Sequence, residues 1–163
     1  MIVVTDTSVV LNLCLIDQQD LLRQMYGRVL APTMVVVEFQ RLVQVDARFQ
    51  GLNFPDFIEK AAPQHLLPSL TSSARLQAGE VAALSLAVEK KADAVLMDER
   101  AGRAAAAALG LRTTGLLGIL RDAKERSLIP AVSPLLDRLE TEAEFWISES
   151  LRSLILKTVG ELS

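Results

Sequence analysis

The chain has 163 residues, a length that suits one domain with a hydrophobic core and excludes two independent domains of ordinary size. Half of the residues are hydrophobic and 23% are charged, which excludes a disordered tail. Seventeen Lys and Arg residues against twenty Asp and Glu residues give a net charge of −3, so the protein is not a generally basic nucleic-acid binder, and contact with phosphate requires a local cationic patch or a bound metal.

Apolar runs, helical periodicity and cap residues predict strands and helices that alternate along most of the chain. In chain order, the sequence predicts a strand at residues 2–5, helices at 9–16 and 18–26, a strand at 28–31, a helix at 34–45, a short edge strand at 57–60, a helix at 79–91, a strand at 94–97, a helix at 100–109, a strand at 111–113 and helices at 115–126, 134–141 and 148–159. This alternation predicts an α/β fold, a three-layer α/β/α sandwich with a mostly parallel central sheet. We expect a single domain over residues 1–163, with C-terminal helices from about residue 131 to residue 163.

Small polar residues at the predicted helix starts are expected to act as caps. Thr7 or Ser8 would cap the first helix, Thr33 the helix at 34–45, and Ser148 the last helix. Trp146 is expected to anchor the turn before the last helix by packing, and the alternative is that its ring stacks on a nucleic-acid base.

Two predicted helices have apolar positions at helical spacing. The helix at 34–45 is expected to have one shared face, which consists of Met34, Glu38, Leu42 and Val45. The last helix has an apolar face that consists of Leu151, Leu154, Ile155 and Val159. We expect this second face to pack in the core, with a dimer or partner surface as the alternative.

Cysteine and histidine are too scarce for several classes of site. Cys14 is the single cysteine and His65 the single histidine, which excludes disulfides, Cys/His zinc sites and two-histidine metal sites. Cys14 is expected in the core. His65 lies between two prolines, a poor position for a Ser-His-Asp hydrolase.

No segment of the sequence has the character of a membrane anchor or a secretion signal. The longest apolar runs, such as residues 104–111, are shorter than the ~18 residues that span a bilayer. The first strand follows no basic stretch, and no small-residue cleavage site comes after an apolar run. We therefore expect a cytoplasmic protein.

Four carboxylates are distinguished from the others by their positions, and they are Asp6, Glu38, Glu80 and Asp98. Asp6 and Asp98 each follow a predicted strand, at the sheet edge where α/β proteins form their sites, whereas Glu38 and Glu80 lie on otherwise apolar helix faces. Convergent charges ~4 Å apart would repel by roughly 4 kcal/mol per pair at an effective dielectric of about 20. Relief requires protonation or a hard divalent cation such as Mg²⁺ or Mn²⁺.

Because no cationic residue is interleaved among the four acids, we favour the cation. An ion held by carboxylates keeps several waters, so it can orient a phosphate and lower the pKa of an attacking water. This chemistry suits phosphodiester hydrolysis, and the ion would allow an acidic pocket to bind RNA or DNA.

These residues resemble the motifs of PIN-domain nucleases, and the resemblance extends over nearly the whole chain. The matching segments are Asp6-Thr7-Ser8 after the first strand, Val36-Val37-Glu38 in the helix after Pro32, Gly79-Glu80 with residues 83–87, and Leu96-Met97-Asp98-Glu99. Residues 98–103, 110–111 and 115–120 are similar to a poorly characterised prokaryotic subgroup of these proteins. Many small relatives are VapC-type toxins of toxin-antitoxin pairs.

The resemblance implies an endoribonuclease that depends on Mg²⁺ or Mn²⁺, is often a homodimer, and is inhibited by a small antitoxin inserted near the acidic pocket. Matched by position, the four acids correspond to the catalytic metal-site residues of the family, with Thr7 or Ser8 as a nearby hydroxyl. Glu80 is a departure, since many relatives have the shorter Asp there, and its longer reach would place a water between it and the metal. Glu99 is a candidate substitute or outer neighbour beside Asp98.

Each of the four acids also has a purely structural interpretation. Asp6 and Asp98 would then be helix caps at strand-to-helix turns. Glu80 would complement the dipole at a helix N-terminus, and Glu38 would lie in solvent.

Four residues are candidates for substrate binding, and they are Thr7, Ser8, Arg100 and Arg103. Arg100 and Arg103 are three residues apart just after Asp98, so both are positioned to face the pocket and bind phosphates. The alternative is that these arginines pair with surface acids.

Two other functions stay open at this point. The first is a catalytically silent PIN-like binding or scaffold protein, in which Glu80 spoils the metal geometry. The second is a phosphoryl-transfer enzyme or receiver domain with a phosphorylated aspartate. Against the second, Asp6-Thr7-Ser8 lacks the second Asp of a D-x-D pattern, and no lysine directly follows a late strand.

Overall fold

The structure is a computed structural model that describes residues 1–162. In chain order its elements are β1 (Ile2–Thr5), α1 (Thr7–Leu15), α2 (Asp20–Met25), β2 (Arg28–Pro32), α3 (Thr33–Val45), a 3₁₀ turn (Ala47–Phe49), β3 (Glu59–Ala61), α4 (Pro68–Thr71), α5 (Ala78–Glu89), β4 (Ala94–Leu96), α6 (Arg100–Ala108), β5 (Thr113–Thr114), α7 (Leu116–Glu125), α8 (Ser133–Glu142) and α9 (Glu149–Thr158). Within this range, none of the helices combines the length and the apolar character that a bilayer-spanning segment needs.

The strands form one sheet in the order β3-β2-β1-β4-β5, and every neighbouring pair is parallel. This confirms the predicted α/β class and the parallel central sheet. Receiver domains have the strand order 2-1-3-4-5, so the receiver-domain alternative is wrong for this chain. The order places β1 in the centre of the sheet, with β2 on one side and β4 on the other.

Successive side chains of the central strands enter two different hydrophobic cores, because strand residues alternate between the faces of a sheet. Val3 packs in one core with residues of α1, α7 and α8, and Val4 packs in the other with residues of α5 and α6. Helices therefore cover both faces, which confirms the three-layer sandwich. Cys14 is buried in the first core, as predicted.

The largest differences from the predicted elements lie between the third helix and the fifth. The predicted edge strand at 57–60 is indeed at the edge, but it occupies Glu59–Ala61, because Ile58 is buried in the core and pairing with β2 begins at Glu59. The 3₁₀ turn and α4 were not predicted, since elements of three or four residues are too short to show a periodic pattern.

Two of the three predicted caps are wrong. The cap of α1 is Asp6, whose Oδ1 accepts a hydrogen bond from the Val9 N–H at 3.0 Å, and Thr7 is already the first helical residue. Thr33 likewise begins α3 rather than capping it, because Pro32 holds the cap position with an extended ψ of 149°. The Ser148 cap is confirmed, since its Oγ accepts from the Leu151 N–H at 3.2 Å.

The predicted face of α3 is not the buried face of this helix. The buried residues of this helix are Val35, Val36 and Phe39, whereas Met34 is 47% exposed and Val45 is 67% exposed. The helix is rotated so that this triplet faces the core. Glu38 consequently lies at the boundary of the buried face and is half-buried.

The expectations for the C-terminal segment hold only in part. On α9, Ile155 is buried as predicted, but Leu151 and Leu154 are exposed, since the helix turns the preceding positions towards an open groove. Trp146 is 84% exposed, so the prediction that it anchors the turn by packing is wrong. The buried residue of this turn is Ile147.

Candidate active site

The sheet brings Asp6 and Asp98 to the same edge. Thr5 at the end of β1 pairs in parallel with Leu96 at the end of β4, and the backbone N–H of Asp6 donates to the Leu96 carbonyl at 3.0 Å. Both acids therefore follow the carboxyl ends of adjacent central strands, as the sequence predicted.

Asp6 is both a helix cap and a buried carboxylate. Its carboxylate caps α1, and Ser8 Oγ lies 3.5 Å from both of its oxygens. The residue is only 4% exposed. Burial raises the pKa of Asp6 to about 8, against the Val9 N–H that lowers it, and the charges of Asp98 and Glu80 raise it further. The cap thus holds a carboxylate that is costly to ionise.

Asp98 is held by a helix that is distant in sequence. Its Oδ1 accepts from the backbone N–H of Leu116 at 2.9 Å, so it caps the start of α7 rather than the helix that follows it directly. Its Oδ2 is buried and has no hydrogen-bond partner among the described residues. Burial raises the pKa of Asp98, while the Leu116 N–H and the Arg103 charge lower it in part and Glu99 adds to the rise.

Glu80 takes part in a reciprocal cap at the start of α5. Its Oε1 accepts from the Gln77 N–H at 2.9 Å, and the Gln77 side chain accepts from the backbone of Glu80. Its Oε2 is buried and accepts no hydrogen bond from any group within residues 1–162. Burial raises the pKa of Glu80, and the nearby carboxylates of Glu99 and Glu38 raise it further against the Gln77 N–H. A structural role at the start of α5 therefore accounts for Oε1 of Glu80 but not for its buried Oε2.

Three glycines make room for the acids. A β-carbon at Gly79 would lie 3.1 Å from Glu38 Oε2, and one at Gly102 would lie 2.7 Å from Glu80 Oε2. A β-carbon at Gly115 would collide with Asp98 Oδ1. Each of these three carboxylates thus lies in a space that an ordinary side chain would fill.

The acids line two neighbouring cavities that share residues. A cavity of about 80 Å³ is lined by Asp6, Thr7, Ser8, Glu38, Gln77, Gly79, Glu80 and Glu99. A larger one of about 330 Å³ includes Asp98 and shares Thr7, Ser8, Glu38 and Glu99 with the first. The structure therefore brings the four predicted acids and both predicted hydroxyl residues to one region of the surface.

A family model described as a PIN domain matches residues 2–161. The chain belongs to the PIN-domain family. No curated protein and no solved structure matches it. PIN domains are generally nucleases and typically use divalent metals.

The carboxylates suit a hard cation by chemistry but do not form a ready-made site. Among residues 1–162, no three acidic, histidine or cysteine side chains are grouped closely enough to hold a metal ion. All four acids nevertheless offer oxygen ligands, and the unpartnered oxygens of Glu80 and Asp98 are the groups that a divalent ion would satisfy. Binding would thus require the side chains to move together.

Glu99 was predicted only as a substitute or outer neighbour of Asp98, and the structure places it among the acids that line the cavities. Although it is exposed, it lines both acidic cavities of the PIN domain and raises the pKa values of Glu80 and Asp98. Its position next to Asp98, just after a strand, is the signal that could have placed it in the primary set.

The two predicted arginines differ in position. Arg103 has Nη1 at 2.9 Å from the point where a Gly115 β-carbon would be, so its guanidinium lies beside Asp98 without an ion pair within 4.0 Å in the part of the chain described. This corrects the view that no cation is interleaved among the acids. Arg100 is exposed at the start of α6 and lines neither acidic cavity.

Proposed function

We propose that this protein is a divalent-metal-dependent endoribonuclease that hydrolyses RNA phosphodiester bonds. The ligands of Mg²⁺ or Mn²⁺ are Asp6, Glu38, Glu80 and Asp98. The observation that carries the proposal is that two buried carboxylate oxygens, Glu80 Oε2 and Asp98 Oδ2, lack a hydrogen-bond partner among the described residues and lie near the buried Asp6. Leaving such oxygens unpaired is costly, and a hard cation relieves that cost.

The backbone holds only part of each of three acids. Backbone N–H groups hold one oxygen each of Asp6, Glu80 and Asp98. The second oxygen of Glu80 and of Asp98 stays available for an ion. A divalent cation bound there would lower the pKa of an attacking water and offset the charge that develops on the leaving oxygen.

Substrate binding falls to groups around the acids. The hydroxyls of Thr7 and Ser8 line both cavities and are positioned to donate hydrogen bonds to the substrate. Arg103 lies beside Asp98 and would bind a phosphate next to the scissile one. Arg100 is farther along α6 and would contact a more distant phosphate.

The biological role that we propose is that of a toxin in a toxin-antitoxin pair. The support is the resemblance of the sequence to VapC-like proteins, from which we also infer a cytoplasmic homodimer of single-domain protomers over residues 1–163. A small antitoxin inserted near the acidic cavities would inhibit the nuclease. Expression of the chain alone should stop growth, and co-expression with the product of an adjacent small reading frame should restore it.

A catalytically silent binding or scaffold protein is the second candidate. The observation in its favour is that the acids of residues 1–162 are not grouped as a ready-made metal site. A silent protein would bind Mn²⁺ no better than a variant without the acids does.

The decisive experiment is a Mn²⁺ titration by calorimetry, combined with an RNA cleavage assay, on the wild type and on Asp98→Asn. Asp56→Asn is the matched control, because it removes one acid from an exposed site outside both cavities. We expect the wild type and the control to bind Mn²⁺ and to cleave RNA, and Asp98→Asn to lose both. Equal cleavage by all three proteins would indicate a contaminating nuclease, and a wild type that binds no Mn²⁺ would favour the silent alternative.

A further inference from the structure

A groove of about 540 Å³ starts at Asp98 and runs between α7 and α9. Its volume is within the range of about 300–1,000 Å³ that is usual for pockets that hold small organic ligands. Because Asp98 lines both this groove and one acidic cavity, the groove is continuous with the candidate active site. We call it the Trp146 groove, after the residue at its outer wall.

One part of the Trp146 groove has the small and cationic residues that suit a phosphate. Gly115 and Gly118 line the groove without side chains, and Arg103 and Arg121 are its lining cations. Arg121 donates to Asp122 through Nε at 3.1 Å, which leaves its Nη groups without a hydrogen bond to the described residues, and a β-carbon at Gly118 would be 3.9 Å from one of them. Asp98 is the only acid among the lining residues. The groove therefore presents two guanidinium groups, each with one acid nearby, which are Asp98 beside Arg103 and Asp122 beside Arg121.

The other side of the groove is aromatic and apolar. Trp146 is 84% exposed and Phe145 is half-buried beside it, and Leu154 on α9 is 61% exposed. A large ring held in water at the edge of a groove is unusual for a residue with a packing role. Bases of unpaired nucleotides stack on such rings, and arginines near the ring bind the phosphates of these nucleotides.

We propose that the Trp146 groove binds one unpaired RNA nucleotide adjacent to the scissile phosphate, with its base stacked on Trp146 and its phosphate on Arg103 and Arg121. The location beside the acids rests on the proposed nuclease function, but binding itself does not require cleavage. An apolar protein segment would use the apolar wall alone, whereas a nucleotide would also contact the Arg103 guanidinium and the Nη groups of Arg121, so we favour the nucleotide.

Trp146 is the single tryptophan of the chain, so its fluorescence reports on this groove alone. The probes are a short adenylate oligomer and an abasic oligomer of the same length and charge, titrated in EDTA so that no cleavage occurs. We expect saturable quenching by the adenylate oligomer and much weaker quenching by the abasic one. Equal quenching by both would overturn base stacking.

Variants test the same contact by anisotropy of a labelled oligomer. Trp146→Ala should weaken binding by about 5- to 150-fold, the range that loss of one stacked base gives, and Trp146→Tyr should restore most of it. Arg121→Gln should reduce the salt dependence of log K by about 0.7, the slope for one phosphate contact on a single strand. Leu66→Ala is the control, since Leu66 is also exposed but lies outside the groove.

Light scattering distinguishes the competing occupants. If Trp146→Ala converts a dimer of the protein into a monomer and leaves the affinity for the RNA oligomer unchanged, the groove is a protein interface and the proposal is wrong. If the wild type never cleaves RNA but its fluorescence is quenched and Trp146→Ala binds more weakly, the nucleotide site stands while the nuclease proposal fails.

Discussion

Gly115 lies so close to Asp98 that a β-carbon at residue 115 would collide with the Oδ1 atom of that carboxylate. The same oxygen accepts the hydrogen bond from Leu116 N–H that starts α7. Gly115 thus sets both the position of Asp98 and the approach of Arg103 to it. Because the Leu116 N–H holds Asp98 in place, the glycine is required for the space beside this carboxylate, whereas its φ of −90° is open to any residue.

Gly115→Ala should therefore displace Asp98. We expect a loss of about 1–3 kcal/mol in the free energy of unfolding from overpacking, and a loss of most Mn²⁺ affinity. Urea unfolding and calorimetry measure the two effects. Gly118→Ala in the first turn of α7 is the control, because its β-carbon would meet mainly a methyl group of Thr114, at 3.1 Å. Similar metal binding by both variants would contradict this role for Gly115.

Substitutions of Glu80 separate its cap from its free oxygen. Glu80→Gln keeps an oxygen that can accept from Gln77 N–H, so its stability should stay within about 0.5 kcal/mol of the wild type. Glu80→Ala loses the cap and should cost about 1 kcal/mol. Both should bind Mn²⁺ more weakly. If Glu80→Gln matches the wild type in Mn²⁺ affinity, the residue serves only as a cap.

The metal-free protein should become less stable as the pH rises. Burial raises the pKa of Asp6 from 3.8 to about 8, so the folded chain holds this proton more tightly than the unfolded chain does. The contribution of Asp6 is complete below about pH 4 and is lost as the pH rises towards 8. Each pKa unit corresponds to about 1.4 kcal/mol.

Asp6→Asn should flatten this dependence, since the amide oxygen can still accept from Val9 N–H without ionising. Urea unfolding in EDTA across this pH range compares the two proteins. Parallel curves would mean that Asp6 ionises in the folded protein as readily as in the unfolded one.

Acid should release the C-terminus from α8. Glu161 accepts from the N–H groups of Val132 at 2.7 Å and Ser133 at 3.0 Å, and from Lys124 at 3.3 Å. Burial raises the pKa of Glu161, but these hydrogen bonds lower it more, so its pKa is below the usual 4.5. Its contribution is complete above about pH 4.5 and is lost as the pH falls through the lowered value.

Glu161→Gln should cost about 1–2 kcal/mol at neutral pH and should reduce the loss of stability in acid. Chemical unfolding at several pH values measures this, with Glu125→Gln as an exposed control. An equal acid sensitivity of the wild type and Glu161→Gln would contradict the assignment.

The sequence predicted the architecture because its signals are local. The apolar run at Ile2–Thr5 and its counterpart around β4 each end at an aspartate, and a parallel sheet brings such ends together. The candidate acids could be selected in this way from position alone. Ser148 was also predictable as a cap, since a cap contacts only the next turn.

Only the tertiary structure decided what lies around those acids. Leu116 N–H donates to Asp98, and Gly115 lets Arg103 lie beside the same carboxylate. Trp146 lines a groove together with residues of α7. Each of these arrangements brings together residues from different elements. These contacts depend on how each helix is rotated and docked on the sheet. A rotation of one residue position changes which side chains are buried, as α3 shows, and local periodicity does not fix that angle.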